Sequence, residues 1–117
     1  GTSDATVSIQ NVVQSGYTVE VFGESPSLRV GENRLRIVVR DAATGQSVEA
    51  DSASYALNMD MPGMQMQADA QLTRSMESTG EFEGTIRPTM GGEWIARVSA
   101  VVDGKKIEQA ITINIEQ

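Results

Sequence analysis

The stretch WIARVSAVVDGKKIEQAITINI, residues 94–115, decides the fold. Apolar residues share one face on either side of its centre: Trp94, Ala96, Val98 and Ala100 before it, and Ile107, Ile111, Ile113 and Ile115 after it. An alternation of period two is typical of strands that bury one face. At the centre stands Asp103-Gly104, a pair that favours a type I′ turn because both central residues of that turn need positive φ. The stretch therefore predicts a β-hairpin.

The same alternation extends outward along the chain. Residues 17–22 place Tyr17, Val19 and Val21 on one face, and residues 35–39 do the same with Leu35, Ile37 and Val39. Gly-containing turn signals separate such segments, and no window of helical length shows a 3.6-residue period. The pattern predicts an all-β fold, an immunoglobulin-like antiparallel β-sandwich of seven or eight strands. A β-barrel is the alternative.

The chain length of 117 residues predicts one domain over residues 1–117. Gly1-Thr2-Ser3 resembles a start added for expression, and we expect residues 1–4 to be frayed. A natural export signal or anchor could precede this sequence. No apolar run approaches the roughly 18 residues that a membrane span needs, so we expect no membrane insertion by this chain.

The charged and reactive residues narrow the classes of function. Nine basic against 16 acidic residues give a net charge of −7, which argues against a nucleic-acid partner. The chain has no cysteine and no histidine, so the usual thiol nucleophile and general base are missing, and we predict no enzyme activity. Glu81 and Glu83 share a strand face, which we interpret as solvated carboxylates rather than an acid–base pair.

Thioether side chains are concentrated in one segment. Residues 58–67 read NMDMPGMQMQ and hold four of the six methionines. Met61-Pro62-Gly63-Met64 favours a type II turn, with Pro second and Gly third. If two strands leave this turn in register, Met61 faces Met64, Met59 faces Met66, and all four sulfurs lie on one face. Because type II turns twist poorly in tight hairpins, a wider loop is the alternative.

This methionine face permits three interpretations. Thioethers are soft, neutral donors that select Cu(I) or Ag(I), so the segment predicts a metal site. Met also fills irregular cores, and the same face continues into Leu57 and Tyr55, which is typical of packing. A methionine-rich surface for docking a partner is the third interpretation.

The remaining methionines and the single tryptophan have different settings. Met90 precedes Gly91-Gly92 at a strand end, from which it could complete the site or pack at the rim. Met76 lies in a polar loop and is interpreted as an incidental exposed side chain. Trp94 is predicted to plug one end of the core, where a cation–π contact with bound Cu(I) is conceivable.

The order of several short motifs resembles one protein family, the YtkA-like or FixH-like domains of exported bacterial proteins, over residues 16–115. The motifs are Val30-Gly31-Glu32-Asn33, residues 35–39, Asp41-Ala42-Ala43-Thr44-Gly45-Gln46, M-x-M-P-x-M-x-M, Gly80-Glu81-Phe82-Glu83-Gly84 and Met90-Gly91-Gly92-Glu93-Trp94.

The resemblance implies an extracytoplasmic immunoglobulin-type sandwich with a copper-related role. Such domains occur alone or attached to adaptor subunits of heavy-metal efflux systems, so a copper-transport or efflux-system protein is the implied partner. A copper chaperone or a metal-efflux accessory module is the implied function, with the metal held by Met59, Met61, Met64, Met66 and Met90. Comparable copper domains also use histidine, and its absence here leaves Cu(I) or Ag(I). The alternative is a structural or protein-interaction domain whose methionines pack or dock.

Overall fold

The computed structural model describes residues 5–117, which form a sandwich of two antiparallel sheets. One sheet has the order β1-β2-β3-β7-β6 and the other the order β5-β4-β8-β9. The strands are β1 (Val7–Gln14), β2 (Tyr17–Gly23), β3 (Asn33–Asp41), β4 (Ser52–Met61), β5 (Met64–Asp69), β6 (Gln71–Arg74), β7 (Glu81–Ile86), β8 (Gly92–Val102) and β9 (Lys105–Ile115). The predicted all-β sandwich is confirmed, and the two sheets do not close into the alternative barrel.

The described residues contain no helix, and hence none long and apolar enough to cross a bilayer. The expectation of fraying concerns residues 1–4, which lie outside the described residues.

The strand count exceeds the prediction because one extended stretch changes sheets. β5 pairs with β4, and β6 pairs with β7 in the opposite sheet. Between them stands Ala70, whose N–H donates to the Tyr55 carbonyl over 2.9 Å. Side-chain alternation carries no mark of such a switch. The sequence therefore indicates one strand where the structure has two, and nine strands form over the described residues.

The core is aliphatic and comes from the alternating positions. These residues of β2, β3, β4, β8 and β9 are almost fully buried: Val19, Val21, Leu35, Ile37, Val39, Leu57, Trp94, Ala96, Val98 and Ile107. Removal of this apolar surface from water, at about 25 cal/mol per Å², is the main stabilising contribution.

The tight hairpins at one end of the sandwich have the predicted turn chemistry. Asp103 and Gly104 have φ of 52° and 76° and connect Val102 directly to Lys105, as a type I′ turn requires. Ser15 and Gly16, with φ of 56° and 86°, do the same between β1 and β2. We call this end, which also carries the loop between β6 and β7, the far end. The opposite end carries the turn between β4 and β5.

Amide side chains connect the sheets where β1 and β9 run side by side. A bulge in β1 turns Gln10 inward, where its Nε2 donates to Gln109 Oε1 over 3.1 Å. The Glu108 backbone N–H donates to Gln14 Oε1 over 3.0 Å. These bonds hold the two sheets together along an edge where no backbone ladder joins β1 to β9 among the described residues.

Candidate metal site at the methionine hairpin

The β4–β5 hairpin has the register that the methionine spacing predicts. Met61 lies opposite Met64, and Met59 lies opposite Met66. Gly63 has φ of +76° and Pro62 is held near −65° by its ring, which matches a type II turn rather than a wider loop. Cβ atoms of directly opposed residues are about 4.5–5.5 Å apart and share a face. The four thioethers thus lie together on one side of the ribbon.

The other side of the ribbon is polar and makes its own hydrogen bonds. Asp60 lies opposite Gln65, whose Nε2 donates to Asp60 Oδ1 over 3.1 Å. Farther along β5, Gln67 Nε2 donates to Asp69 Oδ1 over 2.8 Å. The polar side chains on this face therefore satisfy one another and leave the sulfur face free for another role.

Exposure divides the methionines into two pairs. Met61 and Met64, here called the outer pair, are 39% and 58% exposed beside the turn. Met59 and Met66, the inner pair, are half-buried and pack against the core. The inner pair continues the apolar face of Leu57, as the packing interpretation expects. The outer pair lies beyond that contact, and packing gives no reason for two exposed thioethers side by side.

Near the turn, β4 pairs with β5 alone. β4 pairs with β8 from Ser52 to Asn58, although β4 continues to Met61 and β8 begins at Gly92. Continuing the register would place Asp60 opposite Glu93, and directly opposed like charges are destabilising. The outer pair is therefore carried on a two-stranded ribbon, which has little stability of its own.

Met90 is located at the same end of the sandwich through Trp94. The Trp94 indole N–H donates to the Met90 carbonyl over 3.1 Å, and the Trp94 ring is buried in the core, as predicted. The Met59 methyl carbon lies 3.4 Å from the position that a Cβ on Gly92 would take. Gly92 also has φ of +113°, which strongly favours glycine. Gly92 thus lies against Met59 of the inner pair.

Two other groups of residues are not part of this arrangement. Met76 is fully exposed in the loop at the far end. Glu81 accepts a hydrogen bond of 3.0 Å from Arg36, whose guanidinium also lies 4.5 Å from the centre of the Phe22 ring. In the described part of the chain, His, Cys, Asp and Glu form no group of three or more that could hold a metal ion. The methionines are therefore the candidate donors.

Tyr55, at the base of the sulfur face, is not a charged ligand. Its side chain is buried, and burial raises the pKa of its phenol well above the ordinary value. The hydroxyl therefore stays neutral. Any cation at this end would meet uncharged sulfur rather than phenolate.

The contacts around Met90 have no signal in the spacing of the sequence. Trp94 and Met90 are four residues apart across a glycine turn, and only the folded turn brings the indole N–H to the Met90 carbonyl. The consecutive glycines Gly91 and Gly92, two residues before Trp94, are the one sign in the sequence that the backbone lies close to other residues there.

Comparison with known proteins agrees with the fold. The family model described as YtkA-like matches residues 11–99, which is most of the chain. No curated protein matches it. Among solved structures, the chain is similar to a DUF4785 family protein from Legionella pneumophila, with a TM-score of 0.59 and 16% identity. That match covers 87% of this chain and 29% of the Legionella chain, and at this identity it shows the fold alone. From the extent of the family match, this chain belongs to the YtkA-like family.

Proposed function

We propose that this chain is an extracytoplasmic, methionine-rich domain that binds Cu(I) or Ag(I) and acts as a copper chaperone or as an accessory module of metal efflux. One observation carries the proposal. Four thioethers form two directly opposed pairs on one face of a hairpin, and the pair beside the turn is exposed to solvent.

The donor set fits a soft monovalent ion. Thioether sulfur is neutral and polarizable, and it prefers Cu(I) and Ag(I) to Zn(II), Mg(II) or Ca(II). With neither histidine nor cysteine in the chain, Cu(II) and Zn(II) lack their usual nitrogen and thiolate ligands. Three of the sulfurs would suffice for trigonal Cu(I), drawn from the inner pair, the outer pair and Met90.

Location and partner follow from the same proposal. The motif order resembles exported domains, so we place the protein outside the cytoplasm. Its partner would be a copper-transport or efflux-system protein that gives metal to the methionine end or takes metal from it. A net charge of −7 would favour approach by a cation rather than by an anion.

An anaerobic Cu(I) titration against a chromophoric chelator tests the proposal. The parent chain should compete with the chelator for one Cu(I). A variant with Met59, Met61, Met64 and Met66 all changed to Leu should not compete, because Leu conserves volume but donates no electron pair. Its stability should fall by less than about 1.5 kcal/mol per residue, as volume-conserving exchanges do. Met76→Leu, at the far end, is the matched control and should bind as the parent does.

The same titration separates the competing interpretations. Equal competition by the parent and the quadruple variant would reject the metal site. A parent that binds no Cu(I), together with a large loss of stability in the quadruple variant, would favour core packing. Because thioethers do not titrate, the competition should also be unchanged between about pH 5 and 8 once proton binding by the chelator is corrected.

A further inference from the structure

The methionine end combines a supported group of sulfurs with an unsupported one. Met59 and Met66 pack against the core, and Met59 lies beneath the backbone at Gly92. β4 pairs with β8 only as far as Asn58, so Met59 and Met61 both lie beyond that ladder. Only Met59 and its partner Met66 regain support by packing on the core, whereas Met61 and Met64 remain exposed. Nothing lies within 4 Å of the position a Cβ on Gly63 would take, so the turn between them is open to solvent.

The supported group includes Met90, because one contact fixes its carbonyl and others hold the next residue, Gly91. The indole N–H of the buried Trp94 holds the Met90 carbonyl. A Cβ on Gly91 would lie 2.7 Å from the Gln117 side chain and 3.0 Å from the Ile115 carbonyl, so this turn packs closely on the end of β9. Donors held in place lose little conformational entropy when they bind an ion, which favours affinity.

The unsupported group has the opposite properties. Its sulfurs are exposed, their strands can separate locally at low cost, and a donor from another molecule can approach them. The inner sulfurs are half-buried against the core, and Met59 also lies against Gly92, so they are less open to such an approach. Exchange of Cu(I) between two molecules needs a step in which the ion is bound by donors from both, and the exposed outer pair offers the most room for that step.

We propose that the supported and unsupported groups of sulfurs have different roles: Met59, Met66 and Met90 retain Cu(I), and Met61 and Met64 exchange it with the donor or acceptor. This inference rests on the proposed copper function and deepens it. In the exchange, an entering ligand forms a bond to Cu(I) while one methionine sulfur releases it. The copper stays monovalent, and no electron or proton is transferred.

The test compares equilibrium and rate in two matched double variants. Cu(I)-loaded protein is mixed with bicinchoninate in an anaerobic stopped-flow instrument, and the Kd is measured separately by chelator competition. The outer double variant Met61→Leu/Met64→Leu should keep its Kd within about threefold while loading and release both slow on the order of tenfold. The inner double variant Met59→Leu/Met66→Leu should weaken the Kd by more than about 100-fold.

Two further variants guard the interpretation. Met90→Leu removes a retaining donor without touching the hairpin and should weaken the Kd on the order of tenfold, whether or not the inner double variant folds well. Met76→Leu should change neither the Kd nor the rates.

The outcomes distinguish this inference from the function it rests on. A parent that binds no Cu(I) defeats both. A parent that binds, with inner and outer double variants weakened equally and no change in rate beyond that loss, keeps the copper function but overturns the division. A larger loss of affinity in the outer variant than in the inner one also overturns it.

Discussion

Two hairpins at opposite ends of the sandwich have the same loop length but differ in turn type and in how far the core extends toward the turn. The β8–β9 hairpin turns at Asp103-Gly104, and the β4–β5 hairpin turns at Pro62-Gly63. Gly104 and Gly63 even share a φ of +76°. Yet Val102, just before the first turn, is 3% exposed, and Met61, just before the second, is 39% exposed.

The difference shows which end of the molecule maintains the fold and which end is available for binding. A type I′ turn has the twist of its flanking strands, so the β8–β9 hairpin extends the core up to its turn. A type II turn lacks that twist, and the β4–β5 hairpin leaves its neighbour β8 before it turns. On the sulfur face of β4, branched and aromatic side chains give way to thioethers where this support ends.

Truncation of the residue before each turn should give the largest contrast. Val102→Ala should lower the free energy of unfolding by about 2 kcal/mol, from two lost methyl groups and the cavity they leave. Met61→Ala should lower it by less than about 0.5 kcal/mol, since the side chain is substantially exposed. Urea denaturation of both variants measures the two values. Equal losses would show that the methionine tip contributes as much to the core as the β8–β9 turn does.

The two glycines offer a sharper comparison because their surroundings match. Neither has an atom within 4 Å of the position a Cβ would take, so alanine adds backbone strain and no clash at either. Gly104→Ala should cost about 1–2 kcal/mol. Gly63→Ala should lower the free energy of global unfolding by less than half of that, because the hairpin tip can open locally and relieve the backbone strain. Paired denaturation curves check this. A larger loss at Gly63 would mean that the tip unfolds only with the whole domain.

Exchange of the turn type should give the smallest change in stability and a clear change in binding. Pro62→Asn creates Asn-Gly, which favours a type I′ turn. The better twist is offset by the greater freedom of the unfolded chain without proline, so the net change should stay within about 0.5 kcal/mol. The added twist should reorient the outer pair and slow Cu(I) exchange severalfold, as stopped-flow transfer would show. Unchanged exchange would separate turn geometry from metal handling.

Much of the fold could be predicted from the sequence because its strands obey local rules. Alternation identified the strands around Val19, Leu35, Trp94 and Ile111, and Asp-Gly identified the hairpin between β8 and β9. The pairing of Met59 with Met66 also follows from local spacing, since a two-residue turn permits only one register. All of these features depend on residues close together in the chain.

The features that escaped prediction depend on distant residues. The switch at Ala70 is decided by which sheet offers a free edge, and β6 finds its edge on β7 beside Gly84. A Cβ on Gly84 would lie 1.8 Å from the Gln71 carbonyl, so that approach requires glycine. The sequence indicates Met90 as a candidate, but it gives no sign of the hydrogen bond from Trp94 to the Met90 carbonyl. Whether the five named methionines bind metal stays a prediction.

The switch at Ala70 also has a consequence for solubility. On that side of the molecule, both sheets end in consecutive pieces of one stretch, six residues in β5 and four in β6. An unpaired strand from another molecule that added to β5 would lose its template after those six residues, because the edge passes to the other layer. Very short edges are one way in which natural β-proteins resist aggregation. The crossing thus limits edge-to-edge pairing with other copies of the chain on this side of the molecule.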